Sequence, residues 1–143
     1  MSIQNILDHN RAEVITIRET EMLKSAADRM REQGIGMLVV KNGDIIIGLI
    51  SEREIVHAVS RHGVAALSMV VSDFVSHATI TVAPNDTLKR AMSLMTNHHV
   101  RHLPVIANGK LVGIVSIGDV VKHRMEDLET ESIVLRDAYI AAH

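Results

Sequence analysis

Two short segments carry the residue types best suited to chemistry. Gly48-Leu49-Ile50-Ser51-Glu52-Arg53-Glu54 and Gly113-Ile114-Val115-Ser116-Ile117-Gly118-Asp119 share one form: glycine, two apolar residues, serine, two variable residues, acid. The serine falls where an apolar run ends and a helical pattern begins. A serine there caps a helix, and an acid three residues on completes a capping box. The same geometry serves a ligand. A helix start presents N–H groups and the positive end of its dipole. A carboxylate one turn in can accept from both hydroxyls of a ribose. It suits a phosphate poorly, so a sugar is the better partner for Glu54 and Asp119.

Other chemistry has little support. Cysteine is absent, which removes disulfides, thiolate nucleophiles and cysteine-held metals. No nucleophile elbow, Walker loop or dinucleotide glycine motif occurs. Ser51 and Ser116 have no evident base beside them, so no enzyme is expected. Among nine histidines, His98, His99 and His102 cluster. His102 should fall on the strand after a helix, which breaks the spacing of His98 and His102, so no metal site is expected. A metal-dependent or hydrolytic enzyme stands only as a rival reading.

The two segments belong to a duplication. Residues 15–56 align without a gap on residues 80–121, an offset of 65. Identical pairs include Ile15/Ile80, Thr16/Thr81, Leu23/Leu88, Met30/Met95, Val40/Val105, Gly48/Gly113 and Ser51/Ser116. Half of the chain makes a marginal core, so two packed subdomains are expected.

Each copy reads β-α-β-β-α. A short β-rich run comes first, at 14–17 and 79–82. Thr20 and Asn85 suit a helix N-cap. Leu23, Ala26, Ala27 and Met30, then Leu88, Ala91, Met92 and Met95, recur at helical spacing. Two apolar runs follow, joined by Asn42-Gly43 in one copy and Asn108-Gly109 in the other, a hairpin signal. The turn is displaced by one residue between copies, so the loop geometries should differ. A second helix starts near Ser51 and near Ser116. The expected division is 10–63 for the first repeat, 64–78 for the join, 79–125 for the second repeat and 126–143 for a C-terminal extension. A short helical piece is expected near 65–71. The last helix should run from Ser116 nearly to the end. Val121, Met125, Leu128, Ser132, Leu135 and Tyr139 form a heptad-like stripe on it. That stripe packs either on its own subunit or on a partner.

Composition narrows the partners. Hydrophobic residues make up 47% of the chain and charged residues 22%, which suits a packed globule. The formal charge of −2 disfavours general binding to nucleic acid or to an anionic membrane. No apolar run is long enough to span a bilayer, and no signal peptide is visible, so the expected location is the cytoplasm. Phe74 and Tyr139 are the only aromatics. Stacking readers of single-stranded nucleic acid need more. A flat ligand would lie between aliphatic side chains.

The duplicated unit with its two motifs resembles a tandem pair of cystathionine-beta-synthase (CBS) domains, a Bateman module. Val100-Arg101-His102-Leu103-Pro104-Val105 is also similar to that family's second-strand signature. The resemblance implies a mixed α+β fold of two repeats related by a pseudo-two-fold axis. It implies a stand-alone regulatory sensor of adenosyl ligands: AMP above all, or ADP, ATP, S-adenosylmethionine or NAD(H). It also implies a homodimer, and an effector protein that receives the signal. One site would combine Thr16, Ile35, Gly36 and Met37 with Ser116 and Asp119. The other would combine Ser51, Arg53 and Glu54 with Ile80, Thr81, Val100, Arg101 and His102. The acids would hold ribose and the aliphatic edges adenine. Arg53, Arg101 and His102 would meet phosphate. Glu54 departs from the family's usual aspartate. A protein of this fold that has lost its ligands and serves as a scaffold is the second reading.

Overall fold

The computed structural model describes residues 1–10, 14–77 and 80–142. The helices and hairpins follow the expected order. In the first repeat β1 (Thr16–Arg18) leads to α2 (Leu23–Gln33), the hairpin β2 (Met37–Asn42) and β3 (Ile45–Ser51), and α3 (Glu52–His62). In the second, α4 (Leu88–His98) precedes the hairpin β4 (His102–Ala107) and β5 (Lys110–Ser116), then α5 (Ile117–Ala142). Ahead of both repeats stands α1 (Ile3–Asn10), and 3-10 turns at Gly63–Ser68 and Val71–Phe74 separate them. The fold is a mixed α+β pair of repeats with a long last helix.

The chain divides into two compact units, 13–79 and 1–12 with 80–143. Their cores repeat each other. Ile17, Leu23, Ala26, Met30, Leu38, Val40 and Ile50 are buried in one. Val82, Leu88, Ala91, Met95, Leu103, Val105 and Val115 are buried in the other, at the same offset.

What completes each core comes from outside the repeat. The stretch before the first repeat packs in the unit of the second: Ile3 and Ile6 are fully buried against Val82, Leu88 and Val120. The stretch before the second repeat packs on the first, with Val71 and Ala66 in that core. The backbone contacts match. Ile3 N donates to Asp86 O at 3.0 Å and Gln4 N to Pro84 O at 2.8 Å. Val71 N donates to Glu21 O at 2.8 Å and Ser72 N to Glu19 O at 3.0 Å.

The copies differ at the first strand. β1 pairs in parallel with β2 over Thr16–Arg18. In the second repeat only Val82 bridges Val105. The two prolines account for this. Val39 N donates to Ile15 O and Glu19 N to Lys41 O, both at 3.0 Å. The equivalent donors would come from Pro104 and Pro84, which have no N–H. The run expected at 79–82 is thus a single bridge; Thr79 itself lies outside the described residues, as does the expected boundary at 78/79.

The hairpin loops differ as their displaced turns require. Asn42 pairs with Ile45, and Gly43 has φ 60 at the first loop position. Ala107 pairs with Lys110, and Asn108 and Gly109 both have positive φ, 53 and 74. The first is II′-like and the second I′-like.

The expected caps at Thr20 and Asn85 are wrong. The N-cap positions are Met22 and Thr87, and Thr87 accepts from Arg90 N at 3.1 Å. The chain first makes a turn closed by an acid. Glu21 Oε2 accepts from Arg18 N at 2.9 Å, and Asp86 Oδ2 accepts from Ala83 N at 2.8 Å. That turn delays each helix by two residues.

Candidate functional site

Each serine-to-acid motif folds as a capping box at a strand-to-helix junction. In the second repeat Ser116 N donates to Asp119 Oδ2, and Asp119 N donates to Ser116 Oγ, both at 3.1 Å. In the first, Ser51 N donates to Glu54 Oε2 at 2.9 Å, and the Ser51 hydroxyl donates to the same oxygen. The longer glutamate folds back and draws the hydroxyl to itself. All four residues are half-buried. One carboxylate oxygen of each acid is thereby anchored. Asp119 Oδ1 and Glu54 Oε1 take part in no ion pair or hydrogen bond of these boxes.

The helix starts offer fewer donors than their sequence suggests. Ile117 N donates to Arg101 O at 2.8 Å and Glu52 N to Gly36 O at 3.0 Å. In the second repeat the first and third N–H groups are thus committed, leaving Gly118 N–H. Gly118 is exposed, and a Cβ there would meet only Ser116 Oγ at 3.7 Å. A ligand can approach its backbone closely. This residue was not among the expected site residues, although a glycine between cap and acid is a readable signal.

The strands bring further expected residues to these junctions, each within its own unit. Ser51 is the register partner of Met37, and Ser116 of His102. Thr16 stands exposed on β1, Ile35 and Met37 are half-buried, and Gly36 is buried. In the other unit Thr81 and Arg101 are exposed, while Ile80, Val100 and His102 are half-buried. Arg53 is exposed at the second position of α3. The junction contacts thus bring Gly36 and Met37 to the start of α3 in one unit, and Arg101 and His102 to the start of α5 in the other. Thr16, Ile35, Arg53 and Glu54 belong to the first of these units, and Ile80, Thr81, Val100 and Asp119 to the second.

Sequence reasoning missed one supporting residue. Arg29 on α2 donates to Thr16 O at 2.9 Å and pairs with Glu21 at 3.0 Å, tying β1 to the helix. Its counterpart is Leu94, so this tie exists in one repeat only. The Arg29 hydrogen bond holds the Glu21 carboxyl below its ordinary pKa against the opposing effect of burial. Among the histidines considered for metal, His98 ends α4, His99 is its C-cap and His102 opens β4.

The two repeats, each with a capping box after its hairpin, define a tandem-repeat module, and the chain belongs to the CBS domain family. The family model matches residues 6–61 and 71–126. A CBS-domain containing protein from Agrobacterium tumefaciens has a TM-score of 0.81 and 35% identity, covering 87% of this chain and 99% of that one. A putative signal-transduction protein with CBS domains from Burkholderia ambifaria has a TM-score of 0.79 and 34% identity, covering 89% and 96%. The mitochondrial CBS domain-containing protein CBSX3 of Arabidopsis thaliana is 36% identical over 120 residues, 80% of this chain and 58% of that protein. The chain likewise spans 58% of an uncharacterized Methanopyrus kandleri relative, to which it is 38% identical over 114 residues. CBS pairs are in general regulatory, nucleotide-binding modules, and their stand-alone relatives are regulatory rather than catalytic. No helix among the described residues is long and apolar enough to cross a membrane.

Proposed function

We propose that this chain is a cytoplasmic sensor that binds an adenine nucleotide, with AMP preferred over ADP, ATP, S-adenosylmethionine or NAD(H). The reading is non-enzymatic. The observation that carries it is the second-repeat box, where Asp119 keeps one oxygen on Ser116 N–H and has the other to offer. A ribose diol matches that arrangement, and Gly118 clears the approach.

Asp119 and Ser116 are proposed to act with Thr16, Ile35, Gly36 and Met37. Glu54, Ser51 and Arg53 are proposed to act with Ile80, Thr81, Val100, Arg101 and His102. This crossed pairing is supported by the family resemblance and by the equivalence of the two motifs. Adenine lies between aliphatic edges, and Arg53, Arg101 and His102 take phosphate. Ligand that joins elements of both repeats favours one arrangement of them, by no more than its differential affinity for the two states. The protein is read as a homodimer that passes the change to a separate effector protein.

Calorimetry with AMP tests this. Asp119→Asn keeps an acceptor for Ser116 N–H and removes the charge. Together with Asp119→Ala it should weaken AMP binding by about tenfold or more, the scale of a charged hydrogen bond. Equal affinity in wild type and both variants would end the assignment. Absence of any thermal shift with adenine nucleotides would favour the scaffold reading.

A further inference from the structure

Helix α5 runs 26 residues, Ile117–Ala142, roughly 39 Å at the helical rise. Only its beginning is covered: Val120 and His123 are its buried residues. The family match stops at residue 126. From 128 to 142 every residue is exposed. Leu128 is 49% exposed, Leu135 71% and Tyr139 65%. A helix carrying this much exposed apolar surface has a covering partner in its working state.

The flanking charges identify that partner. Met125, Leu128, Ser132, Leu135, Tyr139 and Ala142 alternate at spacings of three and four, the a and d positions of a coiled coil. The g positions beside this seam are Arg124 and Glu131, and the e positions are Glu129 and Arg136. In a parallel, in-register pair each g residue meets the e residue five places further along the other helix. Arg124 then faces Glu129 of the partner subunit, and Glu131 faces Arg136 of the partner subunit. Both contacts join unlike charges, and the two-fold axis makes each of them twice. An antiparallel pair sets e against e and g against g. There only Glu129 and Arg136 are matched, and Glu131 meets Ala138. Within one chain Arg124 and Glu131 already lie 3.8 Å apart. Pairing extends that contact into a ladder along the seam.

We propose that residues 125–142 dimerise with the same segment of a second copy as a parallel two-stranded coiled coil. Ser132 at an a position weakens the seam and sets its register, as polar a residues do. Ile133, Val134 and Ile140 fall at outer positions and stay outside it. The segment is short for a coil, so the dimer dissociates on dilution. The coil gives a surface to the homodimer proposed above and shares no residue with the nucleotide reading.

Sedimentation velocity on the full chain tests this. Wild type sediments as a dimer at about 100 µM, because dimer stability follows protomer concentration. Leu128→Asp with Leu135→Asp weakens association at least tenfold; both sites are exposed, and thermal unfolding checks that the variant is folded. Arg136→Glu weakens it several-fold, and adding Glu131→Lys restores it. The chain has no cysteine of its own, so single cysteines report orientation. Leu128→Cys and Ala142→Cys each give disulfide-linked dimers in the parallel arrangement. A monomeric wild type, a trimer or larger, no cross-link at either cysteine, or an aspartate variant that dimerises as tightly as wild type overturns the coil. The last result would leave the homodimer and the nucleotide reading standing.

Discussion

Leu7 on α1 occupies the space that a side chain at Gly113 on β5 would need. A Cβ at Gly113 would lie 2.6 Å from Leu7 Cδ2. The first repeat has the same lock. A Cβ at Gly48 would collide with Val75 Cγ1 and lie 2.7 Å from the Ser76 carbonyl oxygen. Each motif glycine is therefore the seat of the segment that arrives from ahead of the other repeat. Its place in the motif is structural, whereas the serine and acid that follow form the capping box.

The two glycines should not respond equally. Leu7 can move its methyl, but the Ser76 carbonyl is held by Leu49 N at 2.9 Å. Gly48→Ala is expected to cost about 2–3 kcal/mol and Gly113→Ala about 1 kcal/mol or less, within the usual range of overpacking. Urea unfolding of both variants checks this. An equal or reversed order would show that the leader segments are not seated on these glycines.

His99 ends α4 in the left-handed region, φ 53 and ψ 41, where the first repeat has Gly34 at φ 64 and ψ 35. A side chain there costs free energy that glycine avoids. His99→Gly should raise stability by about 0.5–1 kcal/mol despite glycine's greater freedom when unfolded. A lower melting temperature would contradict the assigned C-cap.

Glu21 stabilises the folded state while ionised, because Arg29 holds its folded-state pKa below the ordinary value. The contribution is complete above about pH 5 and fades as acid titrates the carboxylate below about pH 4. Glu21→Gln should lower stability by about 1 kcal/mol at pH 7, the upper range for a partly exposed pair. Melting curves from pH 7 down to about 3 should bring mutant and wild type together. A gap that widened in acid would reverse the sign and refute the pairing.

His123 is 4% exposed, and neither ring nitrogen has a hydrogen-bond partner among the described residues. Its neighbours are the His9 ring, edge-on at 5.3 Å, and Glu126 at 3.8 Å. A buried polar group without partners costs free energy. His123→Leu should therefore stabilise the chain by about 1 kcal/mol. Marked destabilisation in chemical denaturation would reveal a polar role for the ring.

Much of this architecture is written locally. The helical stripes, the hairpin turns and the capping boxes depend on neighbours a few residues apart, so spacing alone specifies them, and the offset of 65 shows them written twice. The candidate acids were legible for the same reason: a capping box is a four-residue device. Thr20 and Asn85 misled because a cap is chosen by backbone geometry, and the acid-closed turns moved both helix starts.

Other features belong to the tertiary structure. The truncated first strand of the second repeat follows from two prolines 20 residues apart in sequence, Pro104 on β4 and Pro84 in the turn after the Val82 bridge. The tie from Arg29 to Thr16 joins a helix to a strand behind it. Most of all, the segment before each repeat covers the core of the other. Ile3, Ile6 and Leu7 announce an apolar helix face, but hydrophobic burial is non-directional, and periodicity does not say which sheet receives it. The tertiary structure decides that, setting Leu7 against Gly113 and Val75 and Ser76 against Gly48.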